Sequence, residues 1–235
     1  MILDHALVLP RGLDPDAPLA PATHEAADRF SHALGAAGFA EGSSRAHPGQ
    51  GTANRRLFLH GLMIECLLVD DEAALDHPRG ASLALGARFR DARASGVGIA
   101  VRPAPDTPGE LPAPAFDSVA YRPSYLPPPL RIDVAAESRA PSAPLLFHLP
   151  FARPGPEAKD DGEPRAHPNG ARRALGLRLD TVHPGTSGAW RDTLEGVGVP
   201  CTAGAAGECL HVRLDGPAVG FELDLRPLFP LRLHA

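Results

Sequence analysis

Apolar positions along the chain recur mostly with the period of a strand and only in places with that of a helix. Residues 1–9, with the largely apolar run ILDHALVL, predict a strand at the very start. Over 20–37, Ala26, Ala27, Phe30, Ala33, Leu34 and Ala37 fall on one helical face, with Thr23 as a plausible N-cap and Gly38 as the stop. A short strand near Phe39 and a loop, SSRAHPGQG, come next. The runs TANRRLFLH and LMIECLLVD flank Gly61 and predict a hairpin. The order over 1–70 is therefore β-α-β-β-β.

Residues 71–95 predict a helix carrying Leu83, Leu85, Ala87, Phe89 and Ala92, interrupted early by Pro78. The run GVGIAVR (96–102) reads as a strand and 103–115 as a Pro-rich loop. FDSVAYR, LRIDVA and LLFHLPF are three further strands. Residues 152–172, polar and rich in Gly and Pro, read as a mobile linker. RALGLRLDTV then predicts a strand. TSGAWRDTLEGVG predicts a helix with Trp190 and Leu194 inward, capped by Thr186 or Ser187, and strands follow in ECLHVRLD and VGFELDLR. Element order suggests a repeat: one unit over 1–70, a second over 96–151 with a loop in place of its helix, and a third from 173. The domain expectation is paired units over 1–151, a linker, and a third unit over 173–235, an α+β protein throughout.

Composition narrows the class. The 235 residues are 43% hydrophobic and 22% charged, which suits a globular chain, but only 5% aromatic, so Leu, Val and Ala must fill the core. The 24 Gly and 27 Pro fit strands joined by long loops. A net charge of −5 without a basic run argues against nucleic-acid binding. No apolar stretch reaches the ~18 residues of a membrane span, and the N-terminus does not read as a signal peptide. Cys66, Cys201 and Cys209 lack metal-site spacing and read as reduced thiols, which together predicts a cytoplasmic protein.

Four segments carry a family likeness: LDHALVL, HPGQGTANRRLFL, MIECLLVDD and HPNGARRALGLRL. The pattern H-x-G-x-G-T-x-N followed by an acidic residue on the next strand resembles glyoxalase-like domain proteins of the vicinal oxygen chelate superfamily. The resemblance is clearest over 1–103. It implies repeated βαβββ modules whose sheet curls into a half-open barrel with helices outside. It also implies a divalent metal (iron, manganese or zinc) inside that barrel, and often a homodimer. Residue by residue, the implied ligands are His5 on the first strand, Glu65 on the last strand of the first module, and His148 in the matching place of the second. Glu222 aligns with Glu65 in the third unit and is the alternative to His148, a choice the sequence leaves open. GVGIAVR offers no ligand, which departs from the four-ligand pattern.

Each candidate also has a structural reading. Glu65 is costly to bury unpaired and can pair with Arg55 or Arg56 on the next strand. His5 and His148 can be hydrogen-bonded core histidines. Gly49 and Gly51 allow a tight turn or close approach to a ligand. Thr52, Asn54 and Arg55 are candidate substrate contacts, with Thr52 and Asn54 alternatively fixing their own loop. His47 and Glu65 are candidate general bases. His167 and Asn169 read as a turn before a strand. No Gly-x-Ser-x-Gly, HExxH or P-loop pattern is present. The leading expectation is a metal-dependent lyase, isomerase or dioxygenase acting on a small oxygenated metabolite. The alternatives are a sequestering protein that uses the same cavity, or a metal-free enzyme with His47 or Glu65 as base.

Overall fold

In a computed structural model, residues 1–14, 16–152, 161–182 and 189–235 are described. The first stretch forms β1 (Ile2–Val8), α1 (Leu19–Ala36), β2 (Arg45–His47), β3 (Thr52–Leu59) and β4 (Leu62–Val69). The β3–β4 hairpin turns at His60–Gly61, with Leu59 opposite Leu62 and Gly61 at φ 81°, a conformation that favours glycine. α1 begins at Leu19, so Thr23 lies inside it and is not its cap. Thr23 is fully buried, and its hydroxyl accepts Val69 N–H at 2.9 Å, tying the helix to β4. Gly38 (φ 77°) does end the helix, with Phe39 N–H returning to Leu34 O.

Two local expectations need correction. Phe39 is not in a strand; its ring packs edge-on against His167 and Phe221, and the strand forms later, at β2, where Arg45 pairs with Asn54. Residues 71–95 do not make one helix. They give 3-10 turns at Glu72–Ala74 and Pro78–Leu83 and a short α2 (Leu85–Arg90), because Pro78 and Gly80 break the run.

β5 (Val97–Arg102), β6 (Ser118–Tyr121), β7 (Ile132–Ala135) and β8 (Leu145–His148) complete an eight-stranded mixed sheet in the order β2-β3-β4-β1-β5-β8-β7-β6. Its two middle strands, β1 and β5, are antiparallel. Each has a parallel outer neighbour, β4 for β1 and β8 for β5. Residues 103–117 contain no helix or strand. The sheet curls far enough that its two edges meet. Gln50, just after β2, accepts hydrogen bonds from Tyr121 of β6 (3.1 Å) and from Tyr125 (2.9 Å), and Ser124 donates to Pro48 O. The result is a half-barrel.

β9 (Ala174–Thr181), α3 (Ala189–Gly196), β10 (Cys201–Ala203), β11 (Cys209–Leu214), β12 (Glu222–Asp224) and β13 (Leu231–His234) build a second sheet, ordered β10-β9-β11-β13-β12. Here the first strand pairs in parallel with the strand after its helix, unlike β1, whose parallel partner is β4. Thr186 and Ser187 lie outside the described residues. The described part of the expected linker is anchored. His167 is buried, accepts Ala40 N–H at Nδ1 and sits 2.9 Å from Phe58 O at Nε2, while Asn169 donates to Ala37 O.

Two apolar clusters follow from strand alternation. Ala6, Val8, Ile64, Cys66, Leu146 and the inner face of α1 share one core with Trp190, Leu210, Phe229 and Leu231 of the C-terminal part, and the Phe30 and Phe229 rings meet edge-on at 5.2 Å. Leu7, Leu67, Ala100, Tyr121, Val134, Leu145 and Phe147 face the other way, into the hollow of the half-barrel. No helix among the described residues is long and apolar enough to cross a membrane.

Candidate functional site

The hollow encloses about 250 Å³. Its walls change character along the strand order. Arg45 of β2, Arg56 of β3, Met63 and Glu65 of β4 and His5 of β1 line one side. Leu145, Phe147 and Leu149 from the β8 end, Ile132 of β7, and Leu83 and Leu85 line the other. His47, Gln50, Tyr121 and Tyr125 close it where the sheet edges meet.

His5 reaches this wall with an unexpected companion. In a regular strand, neighbours point to opposite faces. Here β1 has an irregularity against β5: Leu3 faces Val101 and His5 faces Ala100, leaving Asp4 as the extra residue. The bulge lets both Asp4 and His5 line the cavity. His5 Nδ1–H donates to Asp4 Oδ1 at 2.7 Å, and Arg102 holds the other Asp4 oxygen at 3.4 Å. This leaves His5 Nε2 as the nitrogen open to a ligand. Burial pulls the His5 pKa down, yet the Asp4 bond and the charge of Glu65 outweigh it and hold it above the usual value. Asp4 is correspondingly low: burial opposes its ionisation, but His5 and Arg102 prevail.

Glu65 is buried at 9% exposure and accepts Asn54 Nδ2–H at 3.0 Å, while Asn54 Oδ1 accepts Arg45 N–H. Asn54 thus orients the carboxylate from behind. Thr52 likewise sits behind the wall. Its Oγ1 accepts Gln50 Nε2–H at 2.8 Å and lies 3.0 Å from His47 Nδ1. With Gln50 donating into Thr52, we assign the Thr52 hydroxyl as donor to a neutral His47 whose proton is on Nε2. Burial dominates the His47 pKa and lowers it despite Glu65. The two histidines are therefore pushed in opposite directions. Burial raises both phenols, Tyr121 to about 12 and Tyr125 further, so both are neutral donors.

Three expected residues are elsewhere. Thr52 and Asn54 support the wall without lining it, and Arg55 points to the opposite face, where it pairs with Asp28 of α1 at 3.3 Å and with Glu41 at 3.8 Å. The inward arginine is its neighbour Arg56, directly opposite Glu65 in the ladder. Arg56 is itself tied to Ser43 O at 2.6 Å and to Glu163 at 3.9 Å. His148 is also displaced. In the β5–β8 ladder Ala100 faces Phe147, and both belong to the hollow, so His148 turns outward toward Asp133, 3.6 Å away, with burial keeping its pKa low. Phe147 takes the inward place and meets the His5 ring at 5.6 Å. Glu222 is on the second sheet, paired with Arg232.

This arrangement tests the metal expectation directly. His5 and Glu65 share the cavity, but the third expected donor does not reach it. Among the described residues no three His, Cys, Asp or Glu side chains gather into a group able to hold a metal ion. The donor set does not fit a divalent metal.

No protein-family model matches the chain, and no curated protein matches it in sequence. Among solved structures, it is similar to a hypothetical protein from Staphylococcus aureus, with a TM-score of 0.49 and 9% identity over 99% of this chain and 98% of that one. A likeness at this level assigns neither family nor activity.

Proposed function

We propose that the half-barrel is the site of a metal-independent isomerase or lyase that moves protons next to the carbonyl of a small oxygenated metabolite. The mirrored strand order on either side of β1 and β5 supports reading 1–151 as paired βαβββ modules of glyoxalase-like type, the second with a loop for its helix. One observation carries the chemistry. A buried imidazole backed by a carboxylate shares an otherwise largely apolar cavity with a second, oriented carboxylate.

In this reading Glu65 removes a proton from the carbon beside the carbonyl. The electron pair of that C–H bond moves toward the carbonyl oxygen. The protonated His5, held by Asp4, donates from Nε2 to the developing enolate oxygen. In an isomerisation the Glu65 proton is then returned to carbon at the same or a neighbouring position, and His5 recovers its proton from the oxygen that becomes the carbonyl; in a lyase reaction the enol electron pair instead expels a group from the next carbon, Glu65 protonates that group, and His5 again recovers its proton as the carbonyl reforms. The apolar surroundings strengthen each of these electrostatic contacts.

Incubating the protein in D2O with 2-oxo acids from 2-oxobutanoate to 2-oxooctanoate, and following loss of the C3 proton signal by NMR, tests this. Exchange should accelerate with at least one acid. Glu65→Gln and His5→Asn should each slow it by about 10²-fold or more. No acceleration across the series, or variants as fast as the parent, would overturn the proposal. The apolar wall favours a second reading, a protein that holds its ligand unchanged, and binding without exchange would select it.

A further inference from the structure

We propose that the ligand of this cavity is a small amphipathic monoanion: a carboxylate whose acid group sits at Arg45 and whose hydrocarbon body lies against Phe147 and Leu85. The inference takes the hollow as a ligand site, as above, but does not depend on proton transfer.

The charges in the cavity are unequally committed. Asp4 is held by His5 and Arg102, Glu65 by Asn54, and Arg56 by Ser43 and Glu163. Arg45 has no carboxylate partner among the described residues. Its guanidinium stands over the Tyr125 ring at 5.9 Å, and the His47 ring lies 5.5 Å from that same Tyr125 ring. A planar cation placed by an aromatic ring, at the rim of a hollow and without an internal counter-ion, suits an incoming carboxylate.

Strand order then sets the rest of the molecule. Arg45 is on β2, the reactive pair is on β4 and β1 beside Leu7, Met63 and Leu67, and beyond β5 the lining from β8 and β7 is apolar throughout. Going across the sheet, a ligand meets a cation, then His5 with Glu65, then hydrocarbon. The hollow is also small, below the ~300–1,000 Å³ typical of pockets for drug-sized ligands, which restricts the body to a short chain or one ring.

The chain has 2 tyrosines, and both line this cavity, so ring labelling of tyrosine makes NMR specific for the site. Octanoate is the probe, with octanamide as its uncharged match. Octanoate should shift both ring signals saturably. Octanamide, and octanoate added to Arg45→Gln, should bind about tenfold or more weakly. Shortening to hexanoate should weaken binding by about fourfold per methylene removed. Because the Arg45 side chain is exposed and makes no described ion pair, the variant should melt like the parent, which circular dichroism verifies. Octanamide binding as tightly as octanoate, or an unchanged Arg45→Gln, overturns the anion handle even if exchange catalysis is found. Octanoate binding, with no exchange of the 2-oxo acids, upholds it while the catalytic proposal falls. Tyrosine signals that do not move with any probe overturn this inference at its root.

Discussion

At the scale of single residues, the site depends on where each side chain falls in an alternating strand. Arg55 and Arg56 are adjacent and identical, yet one serves the helix face and the other the hollow. His5 is the residue whose behaviour is most diagnostic. Its pKa is raised by Asp4 and Glu65 against burial. A raised folded value means protonation favours the folded state. That stabilisation is complete below the ordinary value of 6.5 and is lost as pH climbs through the higher folded value. A histidine NMR titration should therefore place His5 above 6.5 and His47 below it. Asp4→Asn should move His5 downward and leave His47 nearly in place. A His5 that titrates below its ordinary value would remove the Asp4–His5 pair from any mechanism.

At the scale of elements, the hollow is held open by irregular pieces as much as by strands. Arg88, in α2, is fully buried and makes no ion pair within 4 Å among the described residues, Glu208 acting on it only from a distance. Its guanidinium donates to the carbonyls of Leu83, Ser95, Pro141, Ala143 and Ser138, at 2.7–3.3 Å. Burial lowers its pKa to about 10, which still leaves it charged at neutral pH. One side chain thus ties the 3-10 turn bearing Leu83 to the segments around β5 and β8. Arg88→Met fits the volume but leaves those carbonyls unsatisfied. Chemical denaturation should show a loss on the order of 3 kcal/mol or more. A loss under about 1 kcal/mol would mean that water or a shifted backbone takes over these bonds.

At the scale of the whole molecule, the two sheets share a core. Phe30 of α1 meets Phe229, and Trp190 and Leu194 of α3 belong to the same apolar cluster as Ile64 and Cys66 of β4. The joint is reinforced by Glu208, which accepts Ser95 O–H at 2.5 Å and Gly96 N–H at 2.7 Å just before β5. Burial raises the Glu208 pKa in spite of these bonds. A shared core predicts a single unfolding transition. Fluorescence of Trp190, the chain's 1 tryptophan, should report the same midpoint as far-UV circular dichroism. Phe229→Ala should lower both together, by about 3–5 kcal/mol. Separate midpoints for the two probes would show that the sheets fold independently.

Much of this architecture is legible in the chain because alternation and turn chemistry are local. Two strand-length runs on either side of Gly61 specify a hairpin, the 26–34 face specifies α1, and Gly38 specifies where it stops. His5 and Glu65 line one cavity, and what pairs them in the sequence is the family resemblance, not their spacing. What the tertiary structure alone decided is which neighbour of a pair looks inward. A single extra residue at Asp4 brings a carboxylate to the same face as His5, and the regular β5–β8 register, which sets Phe147 opposite Ala100, gives the inward place to Phe147 and turns His148 away. Register and bulges arise from pairing between strands far apart in sequence, so no single segment encodes them. The meeting of Gln50 with Tyr121 and Tyr125 follows from the curl of the whole sheet, which no local pattern carries.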